Sequence, residues 1–205
     1  LFRPDSGEIV YDEERLSEMD EDRQKELREN MGMLFQHSAL FDSMTVEENV
    51  MFPLRMFTKM RRKERQERAN DILERVNLVN LNKKMPSEIS GGQQKRVALA
   101  RAVVNKPKFL FCDEPNSGLD PKTATVIDNL IQELTHEADI TTVIISHDMN
   151  SVLEIGETII FLKDGEIAWE GSNKEIFKTE NEAVTDFVYS SELFRKVRIA
   201  QNKGL

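Results

Sequence analysis

Ser90-Gly91-Gly92-Gln93-Gln94-Lys95-Arg96-Val97-Ala98-Leu99-Ala100-Arg101-Ala102 is the stretch from which the fold of this chain is read. It opens with a hydroxyl and two glycines. The residues after them have the character of a helix: Val97, Leu99, Ala100 and Val103 stand among good helix formers, with no proline before Pro107. A Ser-Gly-Gly turn feeding a helix presents unhindered backbone N–H groups, a hydroxyl and the positive end of a helix dipole, which together suit a phosphate. Taken alone, the stretch is a serine N-cap with glycines serving a turn. The neighbouring segments decide between the two.

Downstream, Lys108-Phe109-Leu110-Phe111-Cys112 is a short apolar run that predicts a buried parallel strand, and it ends in Asp113-Glu114-Pro115. Carboxylates at the C-terminal end of a parallel strand sit where α/β folds place ligands. Asn116-Ser117-Gly118-Leu119-Asp120-Pro121 is a turn-rich loop into another helix, and Thr141-Thr142-Val143-Ile144-Ile145-Ser146 is a second apolar strand ending in His147-Asp148. Upstream, Met31-Gly32-Met33-Leu34-Phe35 is an apolar strand that delivers Gln36 at its C-terminal edge.

The order Ser-Gly-Gly-Gln, strand-Asp-Glu, Ser-Gly-Leu-Asp, strand-Ser-His, with Phe35-Gln36 ahead of them, resembles the ATP-binding-cassette (ABC) ATPases. The resemblance implies an α/β fold: a P-loop NTPase-like core with a mainly parallel sheet, plus a helical subdomain. We expect one partial ABC ATPase domain over residues 1–205, the helical subdomain within it at 37–87, and a C-terminal helical tail at 172–205. No G-x-x-x-x-G-K-[ST] occurs in the 205 residues, and Leu1 to Ile9 resembles the family's segment just after its first nucleotide-binding helix. The expectation is an N-terminally truncated cassette; the alternative is a degenerate ATPase that lost the motif.

Bulk properties bound the function. A chain of 205 residues supports one sizeable core, and 39% hydrophobic with 32% charged residues is the composition of a soluble globular protein. A net charge of −9 and a pI near 5.0 argue against a general nucleic-acid binder, since no basic excess exists to displace counterions. No apolar run approaches the roughly 18–20 residues that span a bilayer, so membrane work has to pass through a partner. The single cysteine, Cys112, lies in an apolar strand and reads as a buried structural thiol in a reducing compartment.

Local signals fill in the rest. Gly7 to Asp12 predicts a short strand, and Asp20 caps a charged helix ending at Glu29. Thr45-Val46-Glu47-Glu48 has capping-box form, opening a helix that Pro53 is expected to weaken. Met44, Met51, Phe52, Met56, Phe57 and Met60 cluster there, either as core or as an adaptable contact surface. Arg61 to Val76 predicts a helix with Ala69, Ile72, Leu73 and Val76 on its apolar face. Pro121 opens a helix whose stripe is Val126, Ile127, Leu130, Ile131 and Leu134. A helix over Met149–Ile155 and a strand from Glu157 precede the Asp164-Gly165 hairpin; Ser172 with Glu175 predicts a short capped helix. Val184, Phe187, Val188, Leu193, Phe194 and Val197 form a broken amphipathic tail, expected to pack on its own domain.

By resemblance, the cofactors are ATP and Mg²⁺. Asp113 and Gln36 are implied as magnesium contacts, Glu114 as the base that polarises the attacking water, and His147 as the γ-phosphate contact. Ser90, Gly91, Gly92 and Gln93 are implied to serve the nucleotide held by a second ATPase subunit, a homodimer partner, and Asp120 to communicate across that dimer. The family docks a transmembrane permease next to Gln36, which implies a peripheral location at the cytoplasmic face of the bacterial inner membrane. Phe35-Gln36-His37-Ser38-Ala39-Leu40-Phe41-Asp42-Ser43-Met44-Thr45-Val46-Glu47-Glu48-Asn49-Val50, followed by Pro53-Leu54-Arg55, is most similar to ATPases of Mla-type phospholipid transporters. Importers of polar amino acids share much of it. A non-transport ATPase of the family, or a binding-only regulator, is the alternative of a different class.

Overall fold

The computed structural model describes residues 4–190. In chain order the elements are β1 (Val10–Tyr11), β2 (Glu14–Arg15), α1 (Glu21–Glu29), β3 (Met31–Leu34), α2 (Val46–Phe57), α3 (Arg62–Arg75), a 3-10 turn at Pro86–Glu88, α4 (Gly91–Val103), β4 (Phe109–Asp113), α5 (Pro121–Ala138), β5 (Thr141–Ile145), α6 (Met149–Ile155), β6 (Thr158–Lys163), β7 (Glu166–Ser172) and α7 (Glu182–Val188). The chain divides between Ile145 and Ser146 into two compact units.

In the first unit, β3, β4 and β5 form a parallel sheet in that order, with Leu34 opposite Cys112 and Asp113 opposite Ile145. Leu34, Leu110 and Cys112 point into the core; the alternating Met33, Val143 and Ile145 lie on the other face, 47%, 47% and 60% exposed. Helix α4 approaches β3 so closely that a Cβ on Gly32 would collide with the Ala102 carbonyl oxygen, so only glycine fits there. Val97, Ala98, Leu99 and Ala100 are fully buried, making α4 the central helix of the unit. Cys112 is buried too, which pushes its thiol pKa up to about 12.

Between residues 37 and 87 the described chain holds α2, α3 and the 3-10 turn and no strand. Val46, Val50 and Leu54 of α2 share a core with Ala69, Ile72 and Leu73 of α3, and with Val76 just beyond it. Burial of each of the valine, leucine and isoleucine side chains stabilises by roughly 1.5–3 kcal/mol. That packing carries α2 through Pro53 to Phe57, contrary to the expected weakening. Leu54 pins the far turn, and the Thr58 hydroxyl closes it by donating to the Leu54 carbonyl at 2.6 Å. The methionine and phenylalanine cluster divides: Met51 is core, whereas Met56 is 61% exposed. On α5, Ile127, Ile131 and Leu134 follow the helical repeat inward, but Val126, one residue off that stripe, is exposed.

The amino-terminal segment is a hairpin, β1 with β2, turning at Asp12 in the left-handed region; only its first strand was legible. In the second unit, β6 and β7 pair antiparallel about Asp164 and Gly165, both at positive φ as a tight hairpin turn requires. Ile176, Val184, Val188 and Tyr189 form its core with Phe161 and Trp169. The helix expected after Ser172 does not form, and residues 173–178 are turns. The Ser172 N–H and hydroxyl both donate to the Glu175 carboxylate, at 2.8 and 2.7 Å, and the chain closes there as a turn. Of the expected tail, Leu193, Phe194 and Val197 lie outside the described residues.

Candidate functional site

Strand β4 ends at Asp113, and Glu114 extends the ladder by one bond, its N–H donating to the Ile145 carbonyl at 2.9 Å. The chain then turns sharply. Glu114 has φ of +46°, in the left-handed region glutamate rarely adopts, and its carbonyl accepts the Ser117 N–H at 3.1 Å. Both carboxylates are half-buried, at the carboxyl edge of the central parallel strand.

Gln36 leaves the same edge two residues past the end of β3. Its side-chain amide donates to the Ser117 hydroxyl at 3.2 Å, joining it to the loop after Glu114 and leaving its carbonyl oxygen as a potential cation ligand. The segment beyond is held by buried polar side chains. Ser38 and Ala39 are both at positive φ, and the Arg101 guanidinium donates to their carbonyls at 2.8 and 2.7 Å while lying over the Phe41 ring. Fully buried Asn49 accepts the Phe41 N–H at 2.8 Å and donates to the Phe41, Met44 and Thr45 carbonyls. Lys95, 4% exposed, places its ammonium 2.5 Å from the Gln36 carbonyl and 3.3 Å from that of Glu114. Burial lowers its pKa, opposed by the charges of Asp113, Cys112 and Glu114.

At the head of α4, Ser90 and Gln93 form a capping box: the Ser90 hydroxyl accepts the Gln93 N–H at 3.3 Å, and Gln93 Oε1 accepts the Ser90 N–H at 2.9 Å. Helix geometry leaves the Gly91 and Gly92 N–H groups without intrahelical acceptors. Gly91 is exposed and a Cβ on it would meet nothing within 4 Å; one on Gly92 would stand 2.7 Å from Thr123 Cγ2. Thr123 belongs to the first turn of α5, where Asp120 is the cap, accepting the Thr123 N–H at 3.1 Å and its hydroxyl at 2.5 Å. Those bonds lower the Asp120 pKa.

Two groupings result in the first unit: Gln36 with Asp113, Glu114 and Ser117 around Lys95, and Ser90 with Gly92, Thr123 and Asp120. Helix α4 contributes to both. His147 belongs to the second unit, two residues past β5 and exposed, between Ser146 and Asp148; the Ser146 hydroxyl accepts the Asp148 N–H at 3.0 Å. Lys95, Arg101, Asn49 and Ser117 were not singled out from the sequence. The available signal was the pair of cations, Lys95 and Arg101, flanking an apolar run within the helix read from the sequence.

Among the described residues no group of three or more histidine, cysteine or acidic side chains gathers as a metal cage. Magnesium is commonly held by one or two carboxylates together with substrate phosphates and waters. The Asp113 carboxylate and the Gln36 amide oxygen are hard oxygen donors of that kind, and they fit a cation carried in with a nucleotide. No helix among the described residues is long and apolar enough to cross a membrane.

The sequence model of the ABC transporter family matches residues 1–117. The chain is 37% identical over 193 residues to the methionine import ATP-binding protein MetN of Latilactobacillus sakei, covering 94% of this chain and 56% of that protein. It is 35% identical to MetN of Bacillus subtilis, covering 90% and 54%. The chain thus spans about half the length of the curated relatives it matches. Among solved structures, the dimeric post-hydrolysis state of the ATP-binding cassette MJ0796 bound to ADP and Pi superposes with a TM-score of 0.75 at 36% identity, over 84% of this chain and 75% of that one. CbiO1 from Clostridium perfringens, part of the ABC transporter complex cbiONQ, gives 0.79 at 29% identity, over 96% and 78%. With the Ser-Gly-Gly-Gln helix and the Asp-Glu strand end standing together on a parallel sheet, the chain belongs to the ABC transporter family, among its ATP-binding cassettes.

Proposed function

We propose that this chain supplies ATP-binding and ATP-hydrolysing groups of a transporter's ATPase subunit, which works as a pair of cassettes on a membrane permease. The observation that carries the reading is the hydrogen bond from Gln36 to Ser117, which draws the Gln36 segment to the loop following Asp113 and Glu114. Bound magnesium supplies charge neutralisation for the transferred phosphoryl group. Asp113 and Gln36 hold that cation, and Glu114 accepts the proton of the attacking water. For His147, in the second unit, the role of γ-phosphate contact rests on the resemblance of its Ser-His motif to the family. Ser90, Gly91, Gly92 and Gln93 face the nucleotide of the second subunit: the Ser90 hydroxyl, already accepting from Gln93, has its proton to give to a phosphate oxygen. Asp120, tied through Thr123 to Gly92, reports between the two sites.

The permease docks on the groove of about 410 Å³ lined by Met33, Phe35, Phe41, Phe52 and Phe57, and this holds the subunit at the cytoplasmic face of the inner membrane. Phospholipid is the cargo suggested by the similarity of residues 35–50 to Mla-type ATPases. Import of an amino acid is the second reading, favoured by the identity to methionine import proteins.

The experiment is magnesium-dependent ATP turnover by the full-length protein and its Glu114→Gln variant, with nucleotide binding measured beside it. Loss of a general base lowers turnover by roughly 10²–10⁴-fold and leaves binding intact. Wild-type turnover in the variant refutes the assignment. With the permease in vesicles, stimulation of turnover by phospholipid or by methionine separates the two cargoes.

A further inference from the structure

We infer that Lys95 is a positioning residue of the hydrolytic site, holding the backbone of Gln36 and the backbone of Glu114 at a fixed separation through one shared ammonium. The inference rests on the hydrolytic reading above and adds to it a buried residue whose ammonium is turned to backbone carbonyls.

Gln36 and Glu114 each sit just past the end of a strand, where the ladder no longer governs the chain. Their side chains must nevertheless meet one phosphoryl group and one water with little freedom, since misplacement by about 1 Å can cost on the order of 10²-fold in rate. The Lys95 ammonium has three donors, and three carbonyls surround it: Gln36 at 2.5 Å, Glu114 at 3.3 Å and Phe35 at 3.5 Å. At Glu114 the same carbonyl also accepts the Ser117 N–H, so both bonds fix the peptide plane that follows a strained left-handed residue. Burying an ammonium is costly unless its hydrogen bonds are supplied. An apolar side chain would fill this site at lower cost, so the charge is explained by the carbonyls it gathers. Lys95 also lies on α4, little more than one turn past Ser90. The helix that presents the Ser-Gly-Gly turn therefore also holds the hydrolytic loops.

The test uses the full-length protein with Lys95→Met, which keeps the length and removes the donors, and Lys95→Arg, which keeps them. Wild-type turnover, nucleotide affinity and, in nucleotide-free protein, amide hydrogen exchange over residues 35–39 and 113–118 are measured together. Expected for Lys95→Met is a fall in kcat of about tenfold or more, nucleotide affinity within about twofold, and faster exchange in both segments, consistent with the loss of hydrogen bonds to a charged group. Lys95→Arg recovers kcat to within about threefold. Should Lys95→Met not fold, Lys95→Gln replaces it, its shorter amide reaching only one of the two segments and giving an intermediate loss. Unchanged kcat or unchanged exchange in a folded donor-deficient variant overturns the inference, as does a parallel loss of affinity and turnover. If the wild-type protein shows no magnesium-dependent turnover, the hydrolytic reading fails and the inference fails with it; wild-type turnover with an indifferent Lys95→Met removes the inference alone.

Discussion

Gly92→Ala tests the link between the Ser-Gly-Gly turn and the Asp120 loop. The added Cβ would lie 2.7 Å from Thr123 Cγ2, about 0.7 Å short of the 3.4 Å at which ordinary contact begins. Thr123 cannot simply swing away, because it is β-branched and its hydroxyl is bonded to the Asp120 carboxylate that caps α5. Relief comes either by shifting α4 from α5 or by breaking the cap. Overpacking of this size costs about 1–3 kcal/mol and loss of a cap about 1 kcal/mol, against a gain of at most about 1 kcal/mol from alanine's helix preference. The net expectation is a destabilisation of about 1–2 kcal/mol, which lowers Tm by about 2–8 °C for a chain of this size. Thr123→Ser removes Cγ2 and keeps the hydroxyl. The double variant Gly92→Ala with Thr123→Ser therefore recovers most of the loss, a coupling readable from a thermal-melting double-mutant cycle. Gly91→Ala, whose Cβ would meet no other part of the fold within 4 Å, is the control and melts at the wild-type temperature or up to about 4 °C above it. A Gly92→Ala protein melting within about 1 °C of wild type, or a double variant no better than the single, refutes the reasoning.

Phe57 is 37% exposed at the margin of the apolar groove, so Phe57→Ser is expected to lower stability by only about 1–2 kcal/mol while abolishing co-purification of the full-length protein with its permease; a collapse of the fold with permease binding per folded molecule retained contradicts the docking assignment. Acid should destabilise the helix caps, because Glu48, Glu88 and Asp120 have folded pKa values below their ordinary ones: Glu48 through the Thr45 N–H and hydroxyl, Glu88 through the Met85 N–H, and Asp120 through the Thr123 hydroxyl and N–H. For a depressed carboxylate the stabilisation is complete above the unfolded pKa and disappears as pH falls through the folded value. Tm therefore drops as pH falls below the ordinary carboxylate range, and the drop is shallower in Glu48→Gln, Glu88→Gln, Asp120→Asn protein; equal slopes refute the assignment.

Much of this cassette was legible because its signals are local. Asp20, Thr45 and Ser90 cap the helices their sequence positions predict, since an N-cap needs only a short polar side chain and the next few amides. The strands ending near Gln36, Asp113 and Ser146 announced themselves as apolar runs, and a parallel sheet follows from runs separated by helices. Where local signals compete with packing, the sequence misled. Pro53 disfavours a helix interior, yet the shared core of α2 and α3 outweighs it. Ser172 and Glu175 carry a capping pattern, but Ser172 donates both its N–H and its hydroxyl to the Glu175 carboxylate, and a turn closes at the end of β7 instead.

The candidate site divides along the same line. Which residues we propose to carry the chemistry, Ser90, Gly91, Gly92, Asp113, Glu114 and Gln36, follows from residue type and order, and both are read from the chain. What brings Gln36 to Ser117, Gly92 to Thr123, and Lys95 to the carbonyls of Gln36 and Glu114 is decided by tertiary structure alone. Each of those contacts joins segments far apart in the chain, through atoms whose meeting depends on how α4 lies against the sheet and against α5. A buried lysine in a helix reads in sequence as one more surface charge; only the fold, by withdrawing it from water, makes it a clamp on carbonyl oxygens.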